Sequence, residues 1–179
     1  MSEIWENKLA TLFHRFDKEK KGYLTKADIK TQTDAFMAMG SLTNEEQREI
    51  EKIYDRLWNT LLNGKAQVSI DDWVNGHRPL IESAEFATTI WDETLKKAGL
   101  LMFKVADKRR KGAITAEEFA GYLQCLGVDA DQQAKDIFAR FDVSGNGEMQ
   151  EDDFLRAFHD FNYNKEDTPG SELMGPLVC

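Results

Sequence analysis

A twelve-residue frame recurs along this chain, reading DKEKKGYLTKAD at residues 17–28, DKRRKGAITAEE at 107–118 and DVSGNGEMQEDD at 142–153. Each copy opens on aspartate and carries glycine at its sixth position, Gly22, Gly112 and Gly147. The chain must reverse sharply there, and a side chain at that point would cost about 1 kcal/mol. The eighth positions are Leu24, Ile114 and Met149. They are apolar plugs expected to pair across neighbouring loops, since each contributes on the order of 2 kcal/mol on burial. Because the frame is flanked by amphipathic segments, it dictates helix, loop, helix, and two such helices cannot bury their inner faces alone.

Helical periodicity fills almost all of the remaining sequence. Trp5, Leu9, Leu12, Phe13 and Phe16 form an apolar stripe ahead of the first loop. Ile50, Ile53, Tyr54, Leu57, Trp58, Leu61 and Leu62 mark a long helix, which Thr43 and Glu46 open as a capping box. Trp91, Leu95, Ala98, Met102 and Val105 lead into the loop at Asp107, and further stripes run through Phe119 to Leu126, Ala134 to Phe141 and Phe154 to Phe161. No strand-period segment of useful length competes, so the fold class is all-α.

A fourth, degenerate frame is expected at residues 61–72, with Val68 as plug, Ser69 as helix cap and Asp72 as closing acid. Its first, third and fifth positions are Leu61, Asn63 and Lys65, so it should bind nothing and serve only to pair with the first loop; Gly64 leaves a shifted frame open. Gly76 and Pro79 punctuate the helical pattern, and the residue before proline is expected to leave the helical region. The organisation predicted is an N-terminal pair of units at 1–80, a C-terminal pair at 81–163 and an irregular tail at 164–179.

The loop at 142–153 carries recognisable chemistry. Asp142, Ser144 and Asn146 offer side-chain oxygens at positions one, three and five, Glu148 a backbone carbonyl at seven, and Gln150 a contact through water at nine. Asp153 closes the shell from the entering helix. That is the oxygen spacing a hard cation such as Ca²⁺ requires. Asp153 is shorter than a glutamate, which hinders bidentate binding and makes Mg²⁺ a competitor. In the first loop Asp17, Glu19, Thr25 and Asp28 could contribute oxygens, but Lys21 stands at position five; in the third, Arg109 and Lys111 stand at positions three and five. Lys21 is expected to repel an ion from loop one, and the basic side chains of loop three to fold inward onto Asp107 and Glu118 and stand in for the ion.

Net charge of −9 and a pI near 4.9 exclude nucleic acid and anionic membrane surfaces as partners. Two cysteines, Cys125 and Cys179, build no disulfide framework, and neither a leader pattern nor a long apolar run occurs; a cytoplasmic monomer is the expectation. His14, His77 and His159 are too dispersed for a transition-metal site, and no nucleophile has a visible base partner, so the chain is not read as an enzyme.

Taken nearly end to end, the sequence resembles the invertebrate sarcoplasmic calcium-binding proteins, a subfamily of EF-hand proteins. The segments that carry the likeness are the opening SEIWENKLATLFHRFD, the region NTLLNGKAQVSIDDW and the closing MGPLV. The resemblance implies a compact four-hand fold of two packed lobes with the C-terminal segment folded back over the body, and a cytosolic calcium and magnesium buffer. Lys21, Arg109 and Lys111 depart from the family pattern. Hand four is then the main site of a low-capacity buffer. A carrier of a small hydrophobic ligand, related to luciferin-binding proteins, is the first alternative, with Trp5, Trp58, Trp73 and Trp91 as candidate cavity residues. A calcium sensor that binds a partner helix is the second, poorly served by six dispersed methionines.

Overall fold

The computed structural model describes residues 3–128, 131–142 and 144–178; Ser2 and Cys179 of the opening and closing segments lie outside them. Helices α1 (Glu3–Phe16) and α2 (Lys26–Ala38) flank the first loop, α3 (Asn44–Leu62) and α4 (Ile70–His77) the second. After short helices α5 (Pro79–Glu82) and α6 (Ala84–Ile90), a π-helical turn at Trp91–Leu95 leads into α7 (Lys96–Ala106). The third loop joins α7 to α8 (Ala116–Cys125), and the fourth joins α9 (Asp131–Phe141) to α10 (Glu151–Tyr163). A 3-10 turn at Pro169–Glu172 lies within the tail.

Two short antiparallel ribbons pair the loops. Strand β1 (Tyr23–Leu24) meets β2 (Val68–Ser69) with Leu24 opposite Val68, and β3 (Ala113–Thr115) meets β4 (Glu148–Gln150) with Ile114 opposite Met149. All four plugs are fully buried. The pairing of loop two with loop one through Val68 selects the frame at 61–72 over a shifted one. Ser69 and Asp72 cap α4 as a capping box, as Thr43 and Glu46 cap α3.

One local expectation is corrected. Arg78, the residue before Pro79, keeps helical torsions (φ −54, ψ −38), and the chain leaves the helical region at Ser83 (φ −124, ψ 108). Pro79 opens α5 at a first-turn position, where its missing N–H costs nothing, so the proline starts a new helical turn rather than ending the old one.

The core runs continuously through all the helices. The chain ends are tied to each other across it. The Trp5 indole donates to the Asn162 carbonyl at 2.9 Å, and the Lys8 ammonium donates to the carbonyls of Asp160 and Asn164 at 2.8 and 2.6 Å, at the C-terminal end of α10. A cation there complements the negative end of the helix dipole. Lys8 is nonetheless wholly buried, and burial lowers its pKa to about 8. Lys8→Met is expected to lower unfolding stability by about 2 kcal/mol in urea titrations, because the Asp160 and Asn164 carbonyls lose their shared charged donor.

The tail folds back over the body. Leu173 and Met174 enter the core, Arg15 of α1 donates to the carbonyls of Met174 and Pro176, and the Val178 amide donates to the Thr11 hydroxyl. On its other side Arg140 of α9 pairs with Glu172. Among the described residues, no helix is long and apolar enough to cross a membrane.

Candidate metal centre

Three loops share one backbone design. In each, the first aspartate accepts amide hydrogens from positions five and six: Asp17 from Lys21 and Gly22 at 2.9 and 2.8 Å, Asp107 from Lys111 and Gly112 at 3.0 and 2.8 Å, Asp142 from Asn146 and Gly147 at 3.1 and 2.7 Å. Positions four and six are left-handed in all three, with Lys20, Arg110 and Gly145 at position four. Holding Lys20 and Arg110 there costs on the order of 1 kcal/mol each. The loop curvature is therefore built by hydrogen bonds within the chain.

What differs is the closing carboxylate. In loop one the Lys21 ammonium sits 2.5 Å from Asp28 and 3.5 Å from Glu19. Burial pushes the Asp28 carboxyl up, but hydrogen bonds from Lys21 and Thr25 outweigh it and hold the group below its ordinary value. In loop two Lys65 pairs with Asp72 at 2.5 Å and holds that carboxyl low. In loop three Arg109 grips Glu118 with two bonds of 2.9 Å; burial raises the Glu118 carboxyl, and the guanidinium more than offsets it. A protein cation thus rests on the twelfth position of each of these loops, as expected for Arg109. In these loops as they stand, a basic side chain occupies the closing carboxylate that a divalent cation would need.

Two neighbours of Arg109 behave otherwise. Lys111 stays exposed and makes no inward pair, so Arg109 alone closes loop three. Arg110 turns outward, donating to the Ser41 carbonyl at 2.5 Å and to Glu46 at 2.7 Å, while Lys104 takes the other Glu46 oxygen at 2.8 Å. Burial would raise the Glu46 carboxyl, yet these bonds bring it down to about 2. This clasp ties loop three to the start of α3.

In loop four no basic residue of the loop itself reaches the closing carboxylate. Asp142, Ser144, Asn146, Glu148, Gln150 and Asp153 line one cavity at the surface, together with Arg140, Arg156 and Asp160. Asp153 stands on α10, which leaves the loop, rather than on the entering helix. Its one basic neighbour is Arg156 at 3.3 Å, a largely exposed side chain one helical turn on. The Ser144 hydroxyl donates to Asp142 at 3.2 Å, and the Asn146 side-chain Oδ1 accepts the Glu148 amide at 2.9 Å. Asp17 and Asp107 are only 4% exposed, whereas Asp142 is half-buried. Among the described residues no three His, Cys, Asp or Glu side chains converge, so the oxygen set is two carboxylates supplemented by neutral donors. Such a set suits a hard divalent cation.

Residues 100–159, which span the third and fourth loops, match the model of an EF-hand domain pair. That stretch is an EF-hand pair. It is similar to the sarcoplasmic calcium-binding protein of Hediste diversicolor, 24% identical over 180 residues that span 99% of this chain and 100% of that one. It is also similar to the luciferin-binding protein of Renilla reniformis, 25% identical over 166 residues covering 90% and 87% of the two chains. Among solved structures, okadaic acid binding protein 2.1 superposes with a TM-score of 0.74 at 23% identity, covering 99% of this chain and 98% of that one.

A second enclosed space lies inside the body. Leu12, Phe16, Tyr54, Trp58, Trp73 and His77 are among the side chains around it, with Phe158, Phe161 and Met174 opposite. Of the four tryptophans expected at a cavity, it takes Trp58 and Trp73, while Trp5 and Trp91 pack elsewhere. The His77 Nδ1 lies 2.7 Å from the Trp73 carbonyl, and burial lowers the imidazole to about 4, so the ring is neutral at pH 7.

Proposed function

We propose that this EF-hand protein binds calcium and magnesium with low capacity, hand four being its main site, and serves as a cytosolic buffer rather than as an enzyme. The observation that carries this reading is the contrast between hands. Only in loop four does the ring of expected oxygens surround a cavity with no basic side chain on the closing carboxylate from within the loop. Asp142, Ser144, Asn146 and Asp153 would supply side-chain oxygens, Glu148 its carbonyl and Gln150 a water-mediated contact. The ion would bring charge to a loop whose backbone is already curved around the Asp142 carboxylate. Asp153, with its short side chain, favours a six-coordinate shell and so admits magnesium.

Titration calorimetry on apo protein tests it. One calcium per chain is expected for the wild type, and loss of that event in Asp153→Ala, with magnesium competing for the same site. Wild-type binding retained in Asp153→Ala would move the ion to another loop.

A second reading, carriage of a small apolar molecule, is favoured by the interior cavity and by the likeness to a luciferin-binding protein. The closed cavity holds about 80 Å³ in which the centre of a water molecule fits. One water needs at least about 10 Å³ by that measure, so the space as it stands suits a few waters and not an organic ring system. Binding therefore requires a wall to move. Quenching of Trp58 and Trp73 fluorescence by a neutral dye such as Nile red supports this reading, and an unchanged spectrum sinks it.

A further inference from the structure

The interior cavity has a thin side. Ile29, Tyr54 and Trp58 line it from within and also line an outer groove between α2 and α3, whose remaining walls are Lys26, Lys30, Thr33, Glu51 and Asp55. One layer of side chains separates the two spaces there.

The walls are not equally firm. The tail wall is fixed by the buried Leu173 and Met174, by the Tyr122 hydroxyl 3.0 Å from the Met174 sulfur, and by the bonds from Arg15. The wall between α1 and α4 is tied by the Trp73 indole donating to the Leu9 carbonyl at 3.1 Å. Helix α2 is held by less. Its buried residues are Ile29, Gln32, Thr33 and Phe36, so only two are apolar. The Gln32 amide nitrogen donates to the Cys125 carbonyl, but its Oε1 is buried without a partner. Across the groove the outer contacts are ion pairs, Lys26 to Asp55 at 2.5 Å and Lys30 to Glu51 at 4.0 Å, all four side chains at least half exposed. Exposed pairs of this kind contribute little next to a buried apolar side chain. Separating α2 from α3 thus breaks exposed ion pairs and the packing of few buried apolar side chains. Gly40, left-handed at φ +78 and with nothing crowding it, follows α2 and supplies a pivot before α3 begins.

We propose that α2 is the door of the cavity. A neutral, largely apolar small molecule enters through the groove between α2 and α3, past Ile29, Tyr54 and Trp58, and the Lys26–Asp55 pair is the latch across the mouth. The proposal rests on the carrier reading and adds the route and its gate.

The test fixes the door without touching the cavity lining. Lys26→Cys and Asp55→Cys are combined, and the two thiols are bridged with a short bismaleimide; circular dichroism and thermal melting check that the fold is kept. Nile red binding is followed by stopped flow through energy transfer from Trp58 and Trp73. Bridging is expected to slow association and dissociation together by at least about tenfold, with affinity kept within about twofold, while the unbridged double variant associates faster than wild type. Equal association rates for bridged and unbridged protein would overturn the door while leaving the carrier reading in place. A wild type that takes up no dye removes both.

Discussion

Lys21→Asn is expected to turn a closed hand into an ion-binding one, raising calcium stoichiometry from one to two per chain. Loop one already has the Asp17 carboxylate accepting two loop amides, in the manner of Asp142 in loop four. Its remaining oxygens are Glu19, the Tyr23 carbonyl, Thr25 and Asp28, one carboxylate more than loop four offers. What stands in the way is the ammonium on Asp28 and Glu19. Asparagine is the residue loop four uses at this position, Asn146, so the change exchanges a positive charge for a ligand. Removing a like charge a few ångströms from a divalent ion raises affinity by at least about a hundredfold at an effective dielectric near 20.

The readout can be made specific to this loop. The Tyr23 ring centre lies 5.4 Å from the ammonium, so terbium held in that place is sensitised by Tyr23. Lys65→Asn in loop two is the matched control. It also frees a closing aspartate, but Leu61 at position one supplies no oxygen, and no new site is expected. A Lys21→Asn protein that still takes a single ion would show that something other than the ammonium keeps loop one empty.

Acid is expected to destabilise the protein through His77. Burial takes its pKa from 6.5 to about 4 in the folded chain, so the folded state refuses a proton that the unfolded chain accepts. Stability is then full above pH 6.5 and falls as pH drops from 6.5 towards 4. The span corresponds to about 3 kcal/mol from this residue. Other groups also titrate near the acid end of this window, so the informative quantity is a difference. Urea unfolding at pH 7 and pH 4.5 should show a larger loss for wild type than for His77→Gln. Parallel losses in the two proteins would mean that His77 takes up its proton without cost in the fold.

Much of this architecture could be read in advance because it rests on short-range rules. The plugs Leu24, Val68, Ile114 and Met149 were legible because fixed loop offsets set their facing. That the six named residues of loop four would line one cavity was legible for the same reason, and so was the pairing of Arg109 with a carboxylate of its own loop. The cavity was legible only in part, in Trp58 and Trp73 but not in the placing of Trp5 and Trp91, since helical periodicity tells which face is buried but not how closely the covering helices approach.

Lys8 and His77 illustrate the gap. Lys8 shares the apolar face of α1 with Trp5 and Leu12, and His77 follows Trp73 by one helical turn, so each position reads as buried. What satisfies them, the end of α10 in one case and the Trp73 carbonyl in the other, depends on tertiary packing or on a local bond the stripe does not reveal. Arg110 was missed for a different reason. Its left-handed backbone turns the side chain away from its own loop and towards Glu46, and a reading that placed every basic residue of the loop by ligand number had no means of seeing that.

The bonds from Trp5 and Lys8 to α10 also bear on how the polypeptide is made. These two side chains stand on α1, yet their acceptors, Asp160, Asn162 and Asn164, are translated more than 150 residues later. Until that stretch clears the exit tunnel, an indole and an ammonium meant for a dry interior stay in water, and α1 has no seat. Native packing of α1 therefore waits for α10, and nascent fragments that stop before α10 should remain protease-sensitive in α1.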